Sequence, residues 1–280
     1  MRIYATVVYL FLYVPIGIIV LFSFNSGRHA TDFRGFSIEW YGTAVSNRWV
    51  MEALTTSLII AGTTAVLATV MGTSAALALQ RVKGTLRTIF DGLTFIAIMI
   101  PGIVLGIATL VGLVTLFKFA NPVIATLWPT VLGAAPKLHM GYATVIAAHT
   151  VFTMALVIVI VRARIQGMDR TLIEASADLY VTPWGTFRQV TLPLLFPAVL
   201  AGFLLSFTFS FDDFIIAFFV AGSNTTLPIY VFSSIRRGIT PEVNAIGTMV
   251  LAVSLTLMVL AQVLLRARTA KTKSGQGRAS

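Results

Sequence analysis

Two adjacent carboxylates, Asp212 and Asp213, stand inside a run from about 196 to 220 that is otherwise apolar. Placing an ionisable side chain in hydrocarbon costs at least about 2.5–3.5 kcal/mol on insertion scales, so a neighbouring pair marks a functional candidate. Such carboxylates would attract a cationic amine, or would lock helices together through hydrogen bonds or an ion pair. The sequence leaves both readings open. Successive residues are turned by about 100° around a helix, so the two groups cannot both face one narrow pathway. One is expected to line it while the other pairs with an arginine or caps backbone on a neighbouring subunit. Counting about 1.5 Å per residue from Pro197 puts Asp212 about 22 Å along its span, in the outer part of the bilayer. Trp40 and Tyr41 form a further candidate, because aromatic faces bind amine cations. The same pair would also serve as an anchor at the membrane interface.

A second constellation lies in the stretch EASADLYVTPWGTFRQVTLP from Glu174 to Pro193, a polar island between two long apolar runs. Thr171 to Leu179 suits a short helix, on which Glu174 and Asp178 at i and i+4 share one face. Ala175, Ser176 and Ala177 keep that helix slim enough to enter a groove. Pro183 forces its predecessor out of helix, and Trp184, Phe187, Val190 and Leu192 then offer an apolar stripe before Pro193. An acidic, slim helix followed by exposed aromatics suits a docking surface; an amphipathic helix resting on the membrane without a partner is the alternative. The other ionisable candidates are weaker. His29, His139 and His149 lack the spacing of metal ligands, and His149 reads as a helix-packing residue. No catalytic or metal-binding group is assigned.

The elements that must hold these groups follow from composition. Of 280 residues, 57% are hydrophobic and 11% charged, and the mean hydropathy is +0.91. That leaves too little polar surface for a soluble domain of this size. The fold class is all-α integral membrane, because the apolar runs are continuous rather than alternating and a helix satisfies its backbone internally in lipid. Six transmembrane helices are expected at about 4–24, 53–79, 89–117, 141–161, 196–220 and 245–265, within one domain over 1–265. A polar loop, 162–193, precedes the fifth span, and 266–280 is a basic tail. The first run is kept as a mature helix rather than a signal peptide. Pro101, Gly102 and Gly106 predict a kink and a close helix approach. With no cysteine in the chain, cysteine usage does not assign a redox compartment.

Orientation follows from the alternate connections. Thirteen Lys and Arg fall on the side of both termini and the Glu174 island, and seven on the other. Positive charge favours the cytoplasmic face, so both termini and the island are expected there. The net charge of +10 is thereby explained as topology and attraction to anionic lipid, and nucleic acid is not expected as a partner.

The order and spacing within the island resemble the EAA loop of binding-protein-dependent ABC importer permeases. Glu174-Ala175-Ser176, then Trp184, Phe187 and Leu192-Pro193, follow that pattern on a loop before the penultimate span, where the family carries it. FSFNS at Phe22–Ser26, Trp40-Tyr41, SFDD from Ser210 to Asp213 and the stretch from Leu227 to Thr248 extend the resemblance. Over nearly the whole chain they resemble the second permease subunit of the spermidine/putrescine importer group. The resemblance implies the MetI-like, type I ABC importer permease fold in a bacterial inner membrane. It also implies that Glu174, Ala175, Ser176, Asp178, Leu179, Tyr180, Trp184 and Phe187 meet an ATPase subunit, with Asp212, Asp213, Trp40 and Tyr41 in the substrate pathway. The partners implied are a second homologous permease, an ATPase dimer that binds ATP and Mg, a periplasmic solute-binding protein and the lipid membrane. The chain has no GxxxxGK[ST] phosphate loop of its own, so no cofactor is expected in it.

Two departures matter. The family places a glycine where Tyr180 stands, so the turn is expected to be rebuilt or Tyr180 to pack onto something. Gly102 follows Pro101 where polyamine permeases of this type often carry Asp, which leaves open another small solute such as an opine, an amino-acid derivative or a phosphonate. A stand-alone secondary transporter would show inverted repeats and more intramembrane charge. Ser223 to Pro228 and Arg236 to Glu242 are expected as outer-face segments that either meet a solute-binding protein or serve as ordinary connecting loops.

Overall fold

The computed structural model describes residues 2–27, 32–129, 133–169, 171–238 and 240–256; side chains are described from Tyr4 onward. His29, the end of the last expected span and the basic tail lie outside the described residues. Twelve α-helices follow in order among the described residues: α1 (Arg2–Ser23), α2 (Glu39–Ser46), α3 (Arg48–Ala78), α4 (Thr85–Met99), α5 (Gly102–Leu127), α6 (Tyr142–Gln166), α7 (Thr171–Asp178), α8 (Pro183–Thr186), α9 (Leu192–Asp212), α10 (Ile215–Val220), α11 (Leu227–Arg237) and α12, over 241–256. No strand is formed among the described residues. Among the described residues five helical segments are long and apolar enough to cross a membrane: Tyr4–Ser23, Arg48–Ala78, Gly102–Leu127, Tyr142–Gln166 and Pro183–Asp212.

Two of the expected spans are interrupted. The run expected as 89–117 divides at Ile100-Pro101, where Ile100 takes an extended conformation with ψ 129° ahead of the proline. The kink is therefore a full break, and α5 alone has spanning length. The run expected as 196–220 ends at Asp212, because Asp213 leaves the helix with ψ 119° and α10 restarts two residues later.

The chain forms two compact units, Ala53–Ile229 and the residues on either side of it. In the Ala53–Ile229 unit, α9 packs along α6, and α10 lies against both α5 and α6. Helices in lipid gain little from apolar burial alone, so close approach depends on small residues. Here Val157 of α6 is fully buried. A side chain at Gly72 of α3 would meet its Cβ at 2.8 Å, and one at Gly202 of α9 would meet its Cγ1 at 3.3 Å. Ala61, Ala65, Ala68 and Ala76 continue the slim face of α3. Gly106 fulfils its expected role, since a Cβ there would stand 2.8 Å from Phe219. At another edge of this unit Arg162 of α6 grips Asp91 of α4 with both guanidinium nitrogens.

In the other unit, α1 exposes its side chains from Tyr4 to Ile19. Its C-terminal turn is fixed by polar contacts. Asn25 is fully buried; its amide donates to the carbonyl of Asp32 at 2.8 Å and accepts from Gly27 and Arg34 N–H groups. Asn47 donates to Glu242 at 2.8 Å and to Tyr230 at 3.3 Å, joining the start of α3 to α11 and α12.

Candidate functional site

The Glu174 island folds as the sequence predicts and ends as it does not. α7 begins beneath Asp169, whose Oδ1 accepts the N–H of Thr171 at 2.9 Å and its hydroxyl at 2.8 Å. These bonds favour the charged carboxylate and hold Asp169 below the usual range, the Thr171 N–H being the larger influence. Glu174 follows in the first turn, where a negative charge complements the helix dipole. Glu174 and Asp178 are exposed and make no hydrogen bond or ion pair among the described residues.

At its C-terminus α7 closes in a Schellman motif. The Val181 N–H reaches the Ser176 carbonyl at 3.1 Å and the Tyr180 N–H reaches that of Ala177 at 2.9 Å. This motif requires a left-handed residue, and Tyr180 supplies it with φ 57°, the one non-glycine residue with positive φ among the described residues. The expectation of a rebuilt turn or a packed ring is therefore wrong on both counts: the turn that glycine would make is kept, and the ring is 96% exposed. A left-handed non-glycine residue costs about 1–2 kcal/mol, which the two capping bonds help to offset.

Beyond the turn, Thr182 caps α8 by accepting the Gly185 N–H at 3.2 Å, with Pro183 in the first helical position. Gly185 is required there, since a Cβ would meet Val181 Cγ1 at 2.7 Å. The buried Ser176 hydroxyl bonds that of Thr186 at 2.7 Å and fastens α7 to α8. A five-residue π-helical turn, Phe187–Thr191, then leads into α9. Trp184 stacks on Phe187 with centroids 5.4 Å apart. Leu179 and Trp184 are 77% and 70% exposed, so the outer surface of this loop carries two unpaired acids among apolar side chains. Beneath it, a cavity of about 680 Å³ is walled by Ile173, Ala177, Val181 and Phe187 and by Leu77 and Arg81 at the end of α3.

The carboxylate pair divides in the way helix geometry requires. Asp213 turns inward: its Oδ2 accepts the N–H groups of Ile216 at 2.9 Å and Ala217 at 3.0 Å, capping α10 within its own chain. Nε2 of His149, on α6, lies 3.2 Å from the same oxygen, and its Nδ1 is 2.8 Å from the Ser210 hydroxyl. Asp212 is exposed and has no hydrogen bond or ion pair among the described residues. Ser210 and His149, 61 residues apart, carry no local signal that would pair them; only the Asp213 half of this cluster stood out in the sequence.

Trp40 and Tyr41 lie on α2, in the other unit. Tyr41 is engaged there, its hydroxyl 2.6 Å from the buried Ser23 and its ring 5.3 Å from that of Phe24. Phe24 in turn stacks on Phe36 at 4.8 Å.

Several helices long and apolar enough to cross a membrane, with an exposed polar loop between α6 and α9, make this a multi-pass membrane protein. Residues 68–273 match the family described as the binding-protein-dependent transport system inner membrane component, and the chain belongs to that family. It is 34% identical to the spermidine/putrescine transport system permease protein PotC of Escherichia coli K12, over 95% of this chain and 94% of that protein. It is 38% identical to the putrescine transport system permease protein PotI of the same strain, over 86% and 82%. In fold it is similar to a bacterial ABC transporter involved in alginate import, with TM-score 0.72, 14% identity and 95% and 93% of the two chains covered. It is also similar to the MetNI methionine transporter, with TM-score 0.57, 16% identity and 78% and 94% covered.

Proposed function

We propose that this chain is the polyamine-conducting permease subunit of an ATP-driven importer. It would receive spermidine or putrescine from a periplasmic solute-binding protein and release it to the cytoplasm by alternating access. The observation that carries this reading is identity of 34–38% to PotC and PotI over most of the chain. It is supported by Asp212, an exposed carboxylate without a partner in an apolar span, which suits attraction of a protonated amine.

In this reading residues 1–265 act as one permease domain, with both termini and the 162–193 loop in the cytoplasm. Glu174, Ala175, Asp178, Leu179, Tyr180 and Trp184 form the surface that enters an ATPase cleft, while Ser176 and Phe187 hold α7 against α8 behind it. A partner ATPase dimer binds ATP and Mg, and its closure moves α7 and the spans joined to it. Asp212 lines the outer part of the pathway; Asp213 fixes the helix break that presents it. Trp40 would meet the amine on the way in, and Tyr41 would hold α2 in place through Ser23. A homologous permease completes the pathway, and the outer segments Ser223 to Pro228 and Arg236 to Glu242 receive the binding protein.

The test is ATP-dependent uptake of radiolabelled spermidine and putrescine into proteoliposomes holding the full assembly, together with direct measurement of what the binding protein retains. Polyamine uptake that depends on this chain is the expected result. Retention of an anionic or zwitterionic solute with no polyamine uptake would reject the polyamine assignment and leave the importer assignment standing.

A further inference from the structure

The His149 side chain is 2% exposed in the interior of a membrane bundle, where an ionisable group is costly unless it has a task. Its position is specific. It extends from α6 to the break between α9 and α10, with Nδ1 on the last turn of α9 at Ser210 and Nε2 facing the cap of α10 at Asp213. Around it the packing is tight: Val145 and Ala148 of α6 and Ile216, Ala217 and Val220 of α10 form one buried cluster. Oδ2 of Asp213 already accepts two N–H groups, which use the lone-pair directions of one carboxylate oxygen. His149 Nε2 therefore stands within 3.2 Å of that oxygen without a regular hydrogen bond to it. One ring thus touches both sides of the break from which Asp212 projects.

We infer that His149 is a positioning residue: by holding Ser210 and Asp213 at fixed separation it sets the direction in which Asp212 is presented to a cationic substrate. This rests on the reading of Asp212 as the carboxylate that meets the amine, and deepens it by naming what aims that carboxylate. Asp213 alone would cap α10, but it would not fix how α10 is swung relative to α9. A rigid imidazole bonded to Ser210 and set against Asp213 removes that freedom.

The chain contains no cysteine, so a thiol introduced at position 212 reports the presentation directly. Asp212→Cys in the fully assembled importer would be modified with a charged, membrane-impermeant thiosulfonate, in the wild-type background and with His149→Asn or His149→Gln. Asparagine places its amide near the Ser210 side only, whereas the glutamine amide nitrogen stands where Nε2 does. The labelling rate is expected to change by about tenfold with either replacement, the scale of one lost buried polar contact, because each amide keeps only one of the two contacts the ring makes. Equal rates in all three would overturn the inference. A wild-type rate with either replacement would overturn it too, and Ser210→Thr, which keeps the hydroxyl that Nδ1 meets, should label at the wild-type rate. Should His149→Asn fail to accumulate in the membrane, Ser210→Ala removes the other anchor; it should shift the rate in the same way, and an unchanged rate would again refute the idea. Uptake by Asp212→Asn, measured separately, tests the underlying reading: normal polyamine uptake would reject Asp212 as the pathway carboxylate whatever the labelling shows.

Discussion

The loop after α6 and the break between α9 and α10 each carry two carboxylates within five residues, yet the two regions treat them in opposite ways. On the loop, Glu174 and Asp178 are both exposed and have no partner among the described residues, while the polar contacts beneath them shape the turn and fasten α7 to α8. At the helix break the acids are split: Asp213 is tied to two N–H groups and faces His149, and Asp212 has no partner among the described residues. A surface built for a protein partner can keep its charges in water until docking. A site inside a bilayer must satisfy most of its polar atoms internally and can leave unpaired only the group that substrate will meet.

The largest expected effect is on the loop. Glu174→Lys reverses the charge at the start of α7, where it also opposes the helix dipole. ATP-driven uptake is expected to be lost while the subunit still reaches the membrane, and pull-down of the ATPase with this chain should fail. Normal uptake by this variant would remove the basis for calling the loop a docking surface. A bulky residue at Ala175 should act in the same direction by widening the helix.

Next comes the break. Asp212→Asn should abolish uptake with the assembly intact, because no hydrogen bond or ion pair among the described residues depends on that carboxylate. Asp213→Ala should instead destabilise the subunit by about 0.5–2 kcal/mol, the usual range for a lost helix cap, read as a lower melting temperature in detergent. The two substitutions exchange roles if the contrast drawn above is mistaken: an unstable Asp212→Asn and a stable, inactive Asp213→Ala would make Asp213 the pathway group.

How much of this was legible beforehand depended on whether a feature was local. The all-α class, the start of α7 and the position of the acid pairs follow from composition and short spacing. So does the extended Thr182, since Pro183 forces its predecessor out of helix. What escaped was decided by contacts distant in sequence or by overruled preference. Pro101 suggested a kink but could not show that α4 and α5 separate fully. Asp213 read as an intruder in a span because a carboxylate that ends one helix and caps the next has the same local sequence as one buried in a continuous helix. Tyr180 is the sharpest case: propensity argued against a left-handed tyrosine, and the paired Schellman bonds of Val181 and Tyr180 override it.

That override gives a smaller, two-sided test. Tyr180→Gly should keep the turn, relieve about 1–2 kcal/mol of backbone strain and give part of it back through unfolded-chain entropy, for a net change under about 1 kcal/mol. Tyr180→Val should lose the turn, because a β-branched residue is a genuine outlier at positive φ. Uptake and melting temperature measured together are expected to separate the two, with the glycine variant transporting and the valine variant impaired. Failure of the glycine variant at normal stability would assign the exposed ring itself to the ATPase contact.

The smallest effect concerns Asp169, and its sign can be worked out. Its folded carboxylate titrates below the unfolded one, so its contribution to α7 is present above the unfolded value of about 4 and is lost as pH falls through the lower, folded value. No titration of this residue is therefore expected to influence coupling between pH 5 and 8. The prediction is that Asp169→Ala raises amide exchange across Thr171–Asp178 by the same small amount at every pH in that range, while exchange in α9 does not change.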